Sequence, residues 1–378
     1  MPGHRPRLTE TSWMTLRIRN VNSQCSCPRG LLGFDVTVVK LLQYDRRVSE
    51  KLMFMPELWF DRLLLIDGQP RSGKSLVASA FSSLEPFEPW QIPLSVDHVV
   101  MYLELGFFPP KAAAAILRNN LNSESFDSAV GRNLNRRKLD QSSIFGTHGI
   151  ERLAAREVDD SYESLLNIAK RDGNIPVFVT HDNIEHLDFW LASLPTVSVV
   201  ETMRSPASMM ISWHKRSIVS RWGTDPIMFV PCIDNGGEPV PIYALNHAEE
   251  WIAASDLERL MLSAEIQYNK LFDAVRSTFS SELESVCFVR IEEFKRRPDI
   301  TMSRLCAWLG IDFREDQFAD FCRLESLPRL ASSSELKSDL DILKGTFPKS
   351  LHKRLEMLNG AYDSLVEDSL SRANPCLI

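Results

Sequence analysis

An α/β fold, in three layers with a central parallel sheet and helical insertions forming one side, is what this chain predicts, on three observations. An apolar strand, Leu63–Asp67, runs into a glycine-bracketed loop, and the helix-compatible stretch Leu76–Ser83 follows at once. Two more apolar runs, Ile175–Thr180 and Thr196–Met203, read as buried strands, the second turning directly into a helix. The 378 residues, 44% hydrophobic and 25% charged, are enough for one large domain with a substantial core.

The first strand leads into Gly68-Gln69-Pro70-Arg71-Ser72-Gly73-Lys74-Ser75, which has the spacing G-x-x-x-x-G-K-S of a phosphate-cradling loop. Gly68 and Gly73 allow positive φ, so backbone N–H groups can turn inward, and the helix that starts near Lys74 adds its positive end. Strand before and helix after are the context this motif requires. Arg71 adds a fixed cation in the middle of the cradle. The Thr196–Met203 strand ends at Arg204-Ser205-Pro206, where Ser205 can cap the next helix and Pro206 suits its first turn. Arg204 therefore stands at the carboxyl end of a strand, where ligands of open α/β sheets bind, and Ser212 offers a hydroxyl eight residues on.

These segments resemble the sulfotransferase superfamily, whose members take a sulfuryl group from 3′-phosphoadenosine 5′-phosphosulfate (PAPS). Pro70-Arg71-Ser72-Gly73-Lys74-Ser75 is similar to the family's 5′-phosphosulfate loop, although Lys74 stands where many members have threonine. Arg204 and Ser212 match its 3′-phosphate motif. Cys287-Phe-Val-Arg-Ile-Glu-Glu-Phe-Lys-Arg-Arg-Pro-Asp, with Leu305-Cys-Ala-Trp-Leu-Gly-Ile after it, resembles the family's late strand, Glu-containing turn, proline and helix, and points to fold more than to chemistry. The resemblance spans Leu63 to Ile311. It implies a P-loop fold, PAPS as donor held by Gln69, Pro70, Arg71, Ser72, Gly73, Lys74, Ser75, Arg204 and Ser212, and no metal requirement. A late Arg-Lys-Gly that many members use for the 3′-phosphate has only a faint echo in Lys344-Gly345, so the third ligand of that phosphate is unassigned.

His181 directly follows the Ile175–Thr180 strand, and a Thr-His at this place supplies the general base in members that act on alcohols and phenols. A hydroxyl is a poor nucleophile until its proton is removed, and an imidazole with pKa near ~6.5 can take it at neutral pH. Arg71 and Lys74 are the expected cations for charge growing on the leaving phosphate. Two other readings stay open: an ATP-dependent small-molecule kinase using Ser75 with Asp182 or Glu201 and magnesium, and a nucleotide-binding protein without turnover. His186 and His214 read as surface or packing residues, Lys215 and Arg216 as a solvated helix end, Arg221 as a cation at the start of a loop-rich stretch that could reach the nucleotide, and Trp213 and Trp222 as either core or adenine platform.

The net charge of −7 excludes non-specific nucleic-acid binding as the function, and no apolar run reaches the length of a membrane span. Seven cysteines without CxxC spacing fit a reducing, cytoplasmic setting better than a disulfide framework. Residues 1–50 are irregular and resemble no part of the family; residues 51–378 form the sulfotransferase-like domain. Within it, 90–150 is a helical insertion in which Asp97–Leu105 and Pro109–Leu121 read as helices, and its polar stretch from Asn133 through Arg136, Arg137 and Asp140 to Ser143 favours a hydroxylated or charged acceptor, a small molecule or carbohydrate. Residues 151–172 and Ala207–Trp222 read as helices, 223–247 as a possible lid loop, Asp256–Phe279 as a long amphipathic helix, and Ser332–Phe347 as a polar linker between helices Phe313–Leu324 and Ser350–Leu370. If that linker closes over the nucleotide, Lys344 is the candidate for the unassigned ligand.

Overall fold

A computed structural model describes residues 54–138, 140, 142–146, 161–281, 284–329 and 333–371, so the expected extension 1–50 lies outside the described residues. The first strand, β1 (Leu63–Gly68), is buried along its whole length, which suits a central strand covered on both faces. Its side chains alternate: Leu63 and Leu65 belong to one hydrophobic cluster, Leu64 and Ile66 to another. The two clusters are the two layers that clasp the sheet.

Helix α1 (Lys74–Ser82) leaves β1 into the second layer through Val77, Ala80 and Phe81. Helices α2 (Leu94–Glu104) and α3 (Pro110–Ala129) lie in the 90–150 stretch and pack on the first layer through Val96, Val100, Ala113 and Leu117. After α4 (Tyr162–Arg171) the chain enters the short strand β2 (Val177–Val179), then α5 (Leu187–Ser193) and β3 (Val197–Met203). Of the charged helix expected over 151–172, the part before residue 161 lies outside the described residues. Helix α6 (Pro206–His214) stops early and α7 (Ile218–Arg221) follows, because Ser217 takes a left-handed φ of 48° between them; the continuous helix expected to Trp222 is therefore broken.

Residues 223–247 are not an open loop. They carry the antiparallel hairpin of β4 (Cys232–Asn235) and β5 (Glu238–Pro241), whose turn places Gly236 and Gly237 at positive φ. Beyond α8 (Ala248–Ala253) and the long α9 (Asp256–Ser281), strand β6 (Val286–Arg290) completes the sheet. Helices α10 (Ile291–Arg296), α11 (Pro298–Trp308) and α12 (Glu315–Leu324) cover the second layer. The segment expected as a polar linker is helical, α13 (Ser333–Thr346), and α14 (Lys349–Ser371) closes the first layer. Leu343 and Phe347, buried on one side, explain why that segment folds despite its polar composition. Among the described residues no helix is long and apolar enough to cross a membrane.

Four parallel strands form the main sheet in the order β2-β1-β3-β6. The helices after β1 and β3 leave on opposite faces, α1 into the second layer and α6 into the first. Such a reversal opens a crevice at the strands' carboxyl ends, and here it lies between Gly68 and Thr202, which are paired in register. A Cβ on Gly68 would stand 2.5 Å from Thr202 Oγ1 and 2.8 Å from Ser72 Oγ, at a φ of +142°. Gly68→Ala is therefore expected to cost about 1–3 kcal/mol in denaturant unfolding through strain and overpacking. A variant as stable as wild type would show that the loop is not locked against β3.

Candidate active site

The loop after β1 owes its shape to contacts beneath it. Trp213 Nε1 donates to Pro70 O at 2.7 Å, and Arg204 Nη1 donates to Arg71 O at 3.0 Å. Thr202 Oγ1 donates to Asp67 O at 3.1 Å, so Ser72 Oγ, 2.6 Å away, is left to donate to Thr202. Arg71 takes a positive φ of 72° within the turn. Lys74 is buried and donates to the carbonyls of Gly68 and Gln69, which braces the loop from inside. Burial holds the Lys74 amine below its ordinary pKa, while Asp67, Asp97, Glu201 and Asp182 oppose that shift.

A cleft of about 460 Å³ opens over this loop. Pro70, Arg71, Gly73, Lys74 and Ser75 form its floor, and Arg204 and His181 reach it from the ends of β3 and β2. Four more cations line it: Arg216 and Arg221 from around α7, Lys295 from α10, and Arg329 beyond α12. Among the described residues, Glu325 is the one carboxylate in the lining. Arg221 is paired with Asp225 at 2.7 Å and Arg329 with Glu325 at 3.8 Å, which leaves the site strongly cationic. The crowding is visible in the ionisation of the bases. Burial first, then Arg216 and Arg204, holds Arg71 below its ordinary value. Burial, Arg204, Arg329 and Arg71 do the same to Lys295 against the opposing charge of Glu292.

Other expected residues lie near the cleft without lining it. Gln69 and Ser72 are buried under the loop. Ser212 accepts a hydrogen bond from Arg71 Nε at 3.2 Å, so it positions that guanidinium. Arg204 is itself steered by Ser208, whose Oγ accepts from Nε at 2.9 Å. Lys344 pairs with Glu356 of α14 at 2.6 Å and is absent from the lining, so the structure does not bring it to the cleft. Lys295 and Arg329 occupy that side instead, held together by Arg329 N donating to Lys295 O at 2.7 Å. The sequence signal for Lys295 was slight, a cation in the last turn of the short helix after β6. Arg329 had none.

His181 carries the geometry of a base. Asp97, wholly buried on α2, accepts from His181 Nδ1 at 2.8 Å, from His181 N at 3.0 Å and from Asn183 Nδ2 at 2.7 Å. A proton on Nδ1 leaves the Nε2 lone pair free. Burial and then Lys74 hold the imidazole below its ordinary value, with Asp97 opposing, so the ring is neutral at pH 7. The Phe229 ring lies 4.1 Å away, centroid to centroid.

The carboxylates weighed as magnesium ligands are placed differently. Asp182 lines a neighbouring chamber rather than the cationic cleft. Glu201 is 1% exposed behind the loop, and burial and the nearby Asp67 raise it well above the carboxylate range. Asp67 accepts from Thr180 Oγ1 at 2.9 Å and from Asn183 N at 2.8 Å. Trp213 is core, and Trp222 is buried yet lines both cavities. None of the described residues of the polar stretch 133–143 lines either cavity, and bonds within the stretch include Asn135 Nδ2 to Ser142 Oγ at 2.7 Å. The insertion contributes Ile92, Met101 and Glu104 instead.

Several solved structures have a similar shape. The chain is similar to sulfotransferases. The sulfotransferase domain from the Synechococcus PCC 7002 olefin synthase is 13% identical with a TM-score of 0.40, over 83% of this chain and 98% of that one. Sulfotransferase STF9 from Mycobacterium avium is 12% identical with a TM-score of 0.33, over 82% and 81% of the two chains. Retinol dehydratase, in a complex with androsterone and the inactive cofactor PAP, is 12% identical with a TM-score of 0.29, over 74% and 67%. No protein-family model matches the chain, and no curated protein does. Likenesses this distant leave donor, acceptor and base to be argued from the cleft.

Asp97→Asn removes the carboxylate that raises the His181 pKa, so the imidazole is expected to titrate still lower in an NMR pH series. Because folded His181 binds its proton less tightly than the unfolded chain, wild-type stability should fall as the pH drops below the ordinary ~6.5 of histidine. An unchanged or higher imidazole pKa in the variant would contradict the Asp97 assignment.

Proposed function

We propose that the protein is a sulfotransferase that moves a sulfuryl group from PAPS to the hydroxyl of a small acceptor, with His181 as general base. The observation that carries the reading is the second cation site: Arg204 and Lys295, with Arg329 behind them, stand beside Arg71 at the end of the loop, as a donor with a phosphate beyond its 5′-phosphosulfate requires. A nucleoside triphosphate has no group for that position. The donor set fits PAPS in charge and kind: main-chain N–H groups of the loop with Arg71 and Ser75 for the phosphosulfate, Arg204 and Lys295 for the 3′-phosphate.

PAPS supplies an activated sulfuryl group and a phosphate leaving group. His181 Nε2 takes the acceptor's proton as its oxygen attacks sulfur, and Asp97 steadies the imidazolium that forms. Arg71 meets charge growing on the phosphate, while Lys74, tied to two loop carbonyls, keeps the cradle in shape and adds positive potential from below. The scheme rests on fixed side-chain cations and calls on no metal. The kinase reading would place a magnesium-binding acid beside Ser75, and Asp182 and Glu201 are both directed elsewhere.

The test is ³⁵S transfer from labelled PAPS to a panel of phenols, sugars and amino alcohols in the presence of EDTA. Transfer should survive chelation, and His181→Ala should lower it about 10²–10⁴-fold while leaving affinity for 3′-phosphoadenosine 5′-phosphate (PAP) unchanged. Magnesium-dependent transfer from ATP, with none from PAPS, would overturn the assignment.

A further inference from the structure

A second chamber lies against the cationic cleft and shares Pro70, Trp222 and Phe229 with it as walls. Its charge is of the opposite sign. Glu104, Asp182 and Glu185 line it against a single basic group, His186. Lys270 pairs with Glu185 from outside the lining, and His186 Nε2 stands 3.6 Å from Glu104 Oε2, which leaves Asp182 as the lining carboxylate outside those pairs. Its volume of about 30 Å³ admits a head group the size of an ammonium ion.

Two buried polar atoms in its wall have no hydrogen-bond partner. Gln267, 2% exposed, has an orphaned acceptor in Oε1, and Trp222, 3% exposed, has an orphaned donor in Nε1. Leaving such groups unsatisfied costs about 1–3 kcal/mol each, which a polar group seated beside them would relieve. Trp222, Tyr243 and Phe229 add aromatic faces, which attract organic cations. Burial pushes Asp182 up to about 7, against the opposing influence of Lys270, and an arriving cation would hold it ionised.

We infer that this chamber seats the ammonium group of the acceptor, and that the acceptor is a small hydroxylated amine whose hydroxyl extends past Phe229 to His181. The inference rests on the sulfotransferase reading for the fate of the hydroxyl, but the ammonium seat can be read by binding alone. Negative charge, an amide oxygen and π faces suit R–NH₃⁺, and the indole N–H suits a neighbouring hydroxyl. The two cavities thus sort the substrates by charge: the anionic donor enters the basic cleft, and the cationic acceptor enters the acidic chamber. Glu104, Glu185 and His186 also have the spacing of a metal site, and the test must separate that occupant.

Ligand-detected NMR titrations would use 3-aminopropan-1-ol, propane-1,3-diol and 3-hydroxypropanoate, each with and without PAP, and manganese chloride alone as a further probe. The amine is expected to bind at least ~10-fold more tightly than the diol, equivalent to about 1.4 kcal/mol, and the carboxylate least. Glu104→Gln and Asp182→Asn should each bring the amine-to-diol ratio below ~3 while PAP affinity holds, which also reports that each variant is folded. Glu104 is partly exposed on its helix, so its variant keeps the question answerable if Asp182→Asn fails to fold. Equal binding of the three probes, no binding by any, or manganese binding lost in Glu104→Gln without an amine preference would each overturn the inference. Failure of the donor reading would be seen separately, as absent PAP binding by wild type.

Discussion

Arg71, Arg204 and Lys295 gather around one opening at the carboxyl side of the sheet, where burial first and neighbouring cations second hold Arg71 and Lys295 below their ordinary values, and this concentration of partly buried positive charge is the constraint that the rest of the site answers. Like charges gathered in a partly buried site destabilise the folded chain until counter-charge arrives. Here they are held by hydrogen bonds, most of them between distant parts of the chain. Arg204 is tied to Arg71 O and to Ser208, Arg71 to Ser212, and Trp213 holds the loop at Pro70. A multiply charged anion seated there would offset this concentration of positive charge.

The sheet makes that gathering possible. Because α1 and α6 leave on opposite faces, neither helix covers the crevice between β1 and β3, and both strands deliver an arginine to the same opening. Gly68 lets the loop pass within contact of Thr202, which no side chain would allow. Lys74 then has a different duty from the outer cations. Buried, and bonded to the carbonyls of Gly68 and Gln69, it balances Asp67 and its acidic neighbours below the loop. His181 is served by the same logic, since Asp97 fixes its tautomer while burial and Lys74 keep it neutral.

Much of this was legible in the sequence because it is local. The loop motif, the strand before it, Arg204 at the end of its strand and His181 at the end of another are each defined by residues within a few positions of one another. What escaped depends on distant chain. Asp97 lies 84 positions from His181 and looks like any acid in the first turn of a helix. Arg329 reaches the cleft from the far side of α12, and Lys344 is drawn off by Glu356 because the segment around it is a helix packed through Leu343 rather than a linker. The hairpin in 223–247 was masked by prolines and glycines that also suit an open loop. In each case the deciding term was tertiary packing, which overrides local composition.

The central claim is that the cleft is built for two separated anionic groups on one nucleotide. Calorimetric titration of wild type and Arg204→Ala with PAP and with ADP, each with and without magnesium, tests it most directly. The account predicts tight PAP binding that ignores magnesium, weaker binding of ADP, and a loss on Arg204→Ala of about 2–5 kcal/mol for PAP with little change for ADP. Preference for magnesium–ADP, with Arg204→Ala neutral towards both nucleotides, would contradict it.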